Sequence, residues 1–292
     1  MAISDLSLAA VLASIYVLDA QSLIIEAIRL PTTVLAIFFG CAFLAPLPFV
    51  VMMPGNSQSV LDQAGKEKTI TLSKSAPVSL KIYPSDGDLY LLSILITNPA
   101  AYVTGVELLF SWMKSEYAVM PRSLFYKDGR SAEAEKAIAK TEMVDSQIVA
   151  KSVAIDYLAK YFPSELTRAL KPSDLEISLA KTGGPSGGLA FAIGIIELLT
   201  KENILQGKSV AVTGTIDGQA KVGSIGGVAE KILAAKKAGA TLILVPQANC
   251  KDLAPNLATI PSGIEIAAVS SLEEAMAAFN SEDPRGCANL GA

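Results

Sequence analysis

The stretch Lys181–Thr200, KTGGPSGGLAFAIGIIELLT, constrains this chain more than any other. Its glycines and proline force a tight turn, and the run LAFAIGIIELL behind it is long and apolar enough for a buried helix, around which the rest must be organised. Ser186 then falls at or just before a helix N-terminus, where unpaired N–H groups and the positive end of the helix dipole would stabilise an oxyanion. Gly187 and Gly188 let a substrate approach the backbone closely. The ordinary reading of the same serine is a helix cap.

A nucleophilic serine needs a base, and the chain has no histidine. That excludes a Ser-His-Asp triad, His-ligated metals and histidine acid–base chemistry within one chain. Lysine is the remaining partner. Lys231 lies one turn into a helix opened by GGVAEK and is flanked by Ile232 and Leu233, so its ammonium would face a partly dry cleft. Desolvation and the helix N-terminus both favour the neutral amine, the form that accepts a serine proton. Lys201, Lys208 and Lys221 stay open as alternatives, and Lys236 and Lys237 read as solvated helix positions.

Composition adds a second expectation. Of the 292 residues, 51% are hydrophobic and only 18% charged, and the excess concentrates in Pro31–Met53, PTTVLAIFFGCAFLAPLPFVVMM, which carries no charge. A bilayer core of about 30 Å takes about 20 such residues, so the run predicts a transmembrane helix. Leu6–Leu18 is a further apolar stretch, read as a second membrane helix, an interfacial helix or part of a signal sequence. Arg29 is the only basic residue before Lys66, which places the segment before residue 31 on the cytoplasmic side and the long C-terminal part outside.

The expected parts are therefore 1–30 as an apolar N-terminal segment, 31–53 as the membrane helix, 54–65 as a linker, 66–280 as the catalytic domain and 281–292 as a tail. A lipid bilayer follows as a partner, and the cell membrane, with an extracytoplasmic catalytic domain, as the location. Cys41 falls in the membrane run, while Cys250 and Cys287 are either a disulfide or two free thiols. Two cysteines without histidine supply too few ligands for structural zinc. A net charge of −4 without a basic stripe excludes nucleic-acid binding, and there is no GxxxxGK[ST] loop for an ATP-driven module.

Along the chain, Pro54–Asn56 reads as a turn, Lys68–Ile82 and Asp88–Thr97 as strands, and Ala132–Tyr161 as a long helix. Tyr102–Met120 mixes helical spacing at Leu108, Leu109 and Trp112 with strand character at Tyr117–Met120. Core packing is favoured for its aromatic residues over a peptide-binding surface. Strands at Leu175–Leu179, Lys208–Thr213, Thr241–Val245 and Ile264–Val269 alternate with helices after Gly227 and Ser271. Between them, the glycines at 214–227 bracket a hairpin around Ala220–Val222. The fold class is α+β, in the sense of mixed α/β.

Ser186 in GGPSGG and Lys231 in GSIGGVAEK resemble, in the right order, the two signature segments of the Lon-type serine proteases. VTGTIDG, LVPQANC and MVDSQIVAKSVAIDYL extend the resemblance, specifically to the ATP-independent, membrane-tethered bacterial branch that often carries a PDZ domain. The resemblance implies a serine endopeptidase acting on polypeptides without metal, cofactor or ATP. Ser186 would be the nucleophile, Lys231 the general base and Thr213 a supporting hydroxyl, with Gly184, Pro185 and Gly187 shaping the turn. A homo-oligomer is left open. Gly187 stands where the family usually has alanine and Ser224 where it has proline, and no PDZ segment fits between Tyr161 and Leu175. These departures keep an inactive membrane-anchored scaffold or peptide-binding protein as the alternative.

Overall fold

The computed structural model describes residues 31–61, 68–127, 129–164, 170–179, 182–253, 262–281 and 284–287. Among the described residues the first helix, α1, covers 31–44; β1 (Pro46–Leu47) and β2 (Phe49–Ser59) follow at once. Next come β3 (Ile70–Leu72), β4 (Asp88–Ile96), β5 (Val103–Thr104), α2 (Gly105–Trp112), β6 (Ala118–Pro121) and α3 (Ala132–Tyr161). The second half holds β7 (Leu175–Ile177), α4 (Gly188–Leu199), β8 (Ser209–Val212), β9 (Thr215–Ile216), β10 (Val222–Gly223) and α5 (Val228–Lys237). It closes with β11 (Leu242–Pro246), α6 (Cys250–Leu253), β12 (Glu265–Val269) and α7 (Leu272–Ala278).

A six-stranded sheet in the order β12-β11-β8-β4-β2-β6 forms the middle layer. β12, β11, β8 and β4 run parallel, while β2 is antiparallel to both β4 and β6. Side chains alternate along a strand, so each of the four parallel strands serves two cores. Val210, Val212, Leu242, Leu244, Ala267 and Val269 face one core with α3, α4 and α7. Ala211, Ile243, Val245 and Ala268 face the other, which holds Val228 and Ile232 of α5. Every residue of α4 is buried, as its unbroken apolar run requires. Its one carboxylate, Glu197, accepts the Ser85 hydroxyl at 2.6 Å and the Ile204 N–H at 3.0 Å.

The expected membrane helix over 31–53 is not formed. α1 spans fourteen described residues, about 21 Å of rise, and then the chain becomes extended. Pro46 and Pro48 end the helix by removing N–H donors and by biasing the residues before them towards extended backbone. Val50, Val51 and Met52 are buried in β2. Among the described residues no helix is long and apolar enough to cross a membrane. Membrane tethering, the lipid-bilayer partner and a membrane location with an extracytoplasmic domain rested on that helix and fall with it. The apolar segment 6–18 lies outside the described residues.

Other expectations move more modestly. The turn expected at Pro54–Asn56 is a register shift within β2, where its pairing with β4 slips between Pro54 and Ser57. Strand structure over 68–82 shrinks to β3, which pairs with β7. The aromatic residues of α2 do not pack as a core: Trp112 is 81% and Phe110 57% exposed, and Trp112 lines an open cavity with Ala42 and Phe43 of α1. Cys250 and Cys287, left open by the sequence, form a disulfide, and Cys41 is a free, exposed thiol.

Candidate active site

The turn before α4 is built from backbone contacts. Gly184 sits at φ +83°, in the left-handed region that glycine adopts without a Cβ clash. Its N–H donates to the Ala139 carbonyl of α3 at 2.8 Å, and the Ser146 hydroxyl of α3 donates to the Pro185 carbonyl at 2.9 Å. The Ser186 carbonyl then accepts the Gly214 N–H at 2.9 Å, tying the turn to the end of β8. Gly187 is the residue before α4, so Ser186 stands just outside the helix. A Cβ on Gly187 would come within 2.8 Å of Leu91 Cδ1 and 3.0 Å of Phe191, so Leu91 fills the space that alanine would take.

Lys231 approaches from the other side of the sheet's end. Gly227, at φ +66°, opens α5, and its carbonyl accepts the Lys231 N–H at 3.0 Å. The Lys231 side chain turns inward: the residue is 2% exposed, and Nζ donates to Thr213 Oγ1 at 3.2 Å. Thr213, fully buried just beyond β8, in turn donates its hydroxyl to the Ser186 carbonyl at 3.4 Å. A single hydroxyl thus links the lysine amine to the backbone of the serine. Burial alone pushes the Lys231 amine down from 10.5 to about 8.

The other lysines go elsewhere. Lys208 Nζ donates to the Phe279 carbonyl, Lys236 to the Ser262 carbonyl and Lys237 to Glu116, while Lys201 and Lys221 are exposed. Of the residues singled out in the sequence, Ser186, Thr213 and Lys231 share one hydrogen-bonded chain, with Gly184, Pro185 and Gly187 forming the turn at its end. Ser146 was missed, because it acts on a carbonyl and no paired residue type marks it. Its signal is a polar residue in the buried stripe Met143, Ser146, Ala150, Val153 of α3. Among the described residues no group of three or more His, Cys, Asp or Glu side chains gathers to hold a metal ion.

Comparison with known proteins covers this part of the chain. Residues 176–280 match the Lon protease (S16) C-terminal proteolytic domain. Lon protease 2 of Bacillus subtilis (strain 168) is 35% identical over 147 residues, which cover 48% of this chain and 26% of that protein. The Lon proteases of Trichlorobacter lovleyi and Rhizobium meliloti (strain 1021) are each 40% identical, over 93 and 94 residues, 32% of this chain and 11% of theirs. The matches thus span between about a tenth and a quarter of the length of these relatives. The similarity supports a serine-protease-like hydrolytic function.

Proposed function

We propose that this protein is an ATP-independent endopeptidase that cleaves polypeptides with Ser186 as nucleophile and Lys231 as general base. The observation that carries the reading is the buried link Lys231 Nζ to Thr213 Oγ1 to Ser186 carbonyl, which joins the lysine amine to the backbone of the serine through one hydroxyl. A neutral Lys231 amine would take the Ser186 hydroxyl proton as Oγ attacks the substrate carbonyl. The Ser186 and Gly187 amides are the candidate oxyanion donors, since the next two, of Gly188 and Leu189, donate to the Pro185 and Gly214 carbonyls. Lys231 would then protonate the leaving amine, and water would release the acyl group from Ser186. Thr213 positions the amine by accepting a hydrogen bond from it.

The test is cleavage of unfolded casein by the full chain, without ATP or added metal, beside Ser186→Ala and Lys231→Ala. Each substitution is expected to lower kcat by about a thousandfold or more while leaving the fold intact. No cleavage by the folded wild-type chain on several unfolded substrates would favour the inactive peptide-binding scaffold.

A further inference from the structure

One side chain holds the loop that opens α5. Asn249, in the short turn between β11 and α6, is 2% exposed. Its Oδ1 accepts the Ile225 N–H at 2.9 Å and its Nδ2 donates to the Ile225 carbonyl at 2.9 Å, so one amide satisfies both backbone groups of one loop residue. The same Nδ2 donates to Asp252 Oδ2 at 2.7 Å, which fixes the amide's orientation. Ile225 lies two residues before Gly227, the left-handed residue from which α5 starts. The next residue after Asn249, Cys250, is bridged to Cys287, and both pack in one layer with Leu253 and with Val228 and Ile232 of α5. Asn249 is therefore a fixed point against which the helix start is set.

We propose that Asn249 is a positioning residue for Lys231, acting through Ile225 to set where α5 begins and hence how Nζ reaches Thr213 Oγ1. The inference rests on the reading of Lys231 as the base. Asn249 forms no hydrogen bond with Lys231, Thr213 or Ser186; its hold is on the loop. Its effect on chemistry runs through burial, which is the whole cause of the depressed Lys231 amine. Among the described residues no carboxylate steadies that amine, so its behaviour depends on how closely α5 seals it. A loop released from Asn249 lets α5 shift and water enter, and the amine returns towards its ordinary, protonated state.

The test is the pH dependence of casein cleavage by Asn249→Ala and by Asp252→Ala, which keeps Asn249 but removes the carboxylate that orients it. For Asn249→Ala the acid limb of kcat/KM is expected to move up by about one pH unit. That is about a tenfold loss at pH 7, with the wild-type rate regained near pH 10 and KM unchanged. Asp252→Ala should move the limb the same way by less, and it carries the test alone if Asn249→Ala does not fold. An unmoved limb, or a loss equal at every pH, overturns the proposal.

A second readout needs no substrate: the 13Cε resonance of Lys231 in lysine-labelled protein, assigned by its loss in Lys231→Met, titrated in wild type and both variants. A wild-type chain that cleaves nothing, with a Lys231 midpoint that rises in the variants, rejects the proteolytic reading and keeps the clamp. Cleavage by wild type with identical midpoints in all three keeps the proteolytic reading and rejects the clamp.

Discussion

A lysine amine shut away from water is a costly place for a charge, and Lys231 bears that cost whenever it is protonated. Its amine titrates at about 8 in the folded chain against 10.5 as its ordinary value. Below pH 8 both folded and unfolded chains hold the proton, and the full penalty is present. Between 8 and 10.5 the folded chain has released its proton while the unfolded chain keeps it, so stability rises with pH through that window. Lys231→Met, of similar length and uncharged, should therefore be more stable than wild type at pH 6–7, by on the order of 3 kcal/mol. The gap should close by pH 10.5, as read by urea unfolding at each pH. A gap that does not change with pH would assign it to packing instead of charge. Ser146→Ala should cost about 1 kcal/mol by releasing the Pro185 carbonyl, read in the same unfolding assay. Ser186 and Lys231 stand out in the sequence through glycine-rich segments that resemble the Lon signatures; the absence of histidine points to a lysine but leaves Lys201, Lys208 and Lys221 open beside Lys231. Ser146 and Asn249 do not stand out, because each works on a backbone group, and every residue in a chain offers the same backbone groups.

Among the elements, those whose pattern had one physical meaning were legible. α3 runs over Ala132–Tyr161, the residues its spacing predicts. β8, β11 and β12 follow their short apolar runs, and Ser271 caps α7 by accepting the Glu274 N–H at 3.2 Å. Residues 49–53 misled because a bilayer and a sheet interior ask for the same uncharged residues; Pro46 and Pro48 mark where the helix gives way to β2. Cysteine spacing was equally silent, since 37 residues of separation in sequence says nothing about distance in space. Given the observed bridge, closing a loop of that length removes unfolded-state entropy worth about 4 kcal/mol. Cys287→Ser, or reduction of the bridge, should lower the unfolding free energy by about that amount. A loss under about 1 kcal/mol would show that the loop keeps its structure when the chain unfolds.

At the scale of the whole molecule, the segment that matches Lon proteolytic domains contains only half of the six-stranded sheet. Residues 176–280 supply β8, β11 and β12, whereas β4, β2 and β6 come from the first half of the chain. α3, whose Ala139 and Ser146 hold the serine turn, comes from that half too. Within the six-stranded sheet the two parts meet at the parallel pairing of β4 with β8, from Asp88–Ser209 to Leu91–Val212. Thr213 and Gly214, which hold the Ser186 carbonyl, directly follow the last strand residue of that pairing. The consequence is one of timing. A ribosome delivers β2, β4 and α3 long before β8, and pairing strands so distant in sequence is among the slower steps of folding. Until β8 docks, Ser186 has neither Gly214 nor Thr213 against its carbonyl, and Lys231 has no hydroxyl to meet. On the proteolytic reading, the growing chain stays inert while its own unfolded residues are most exposed to cleavage. It becomes a catalyst only once those residues have been folded out of reach.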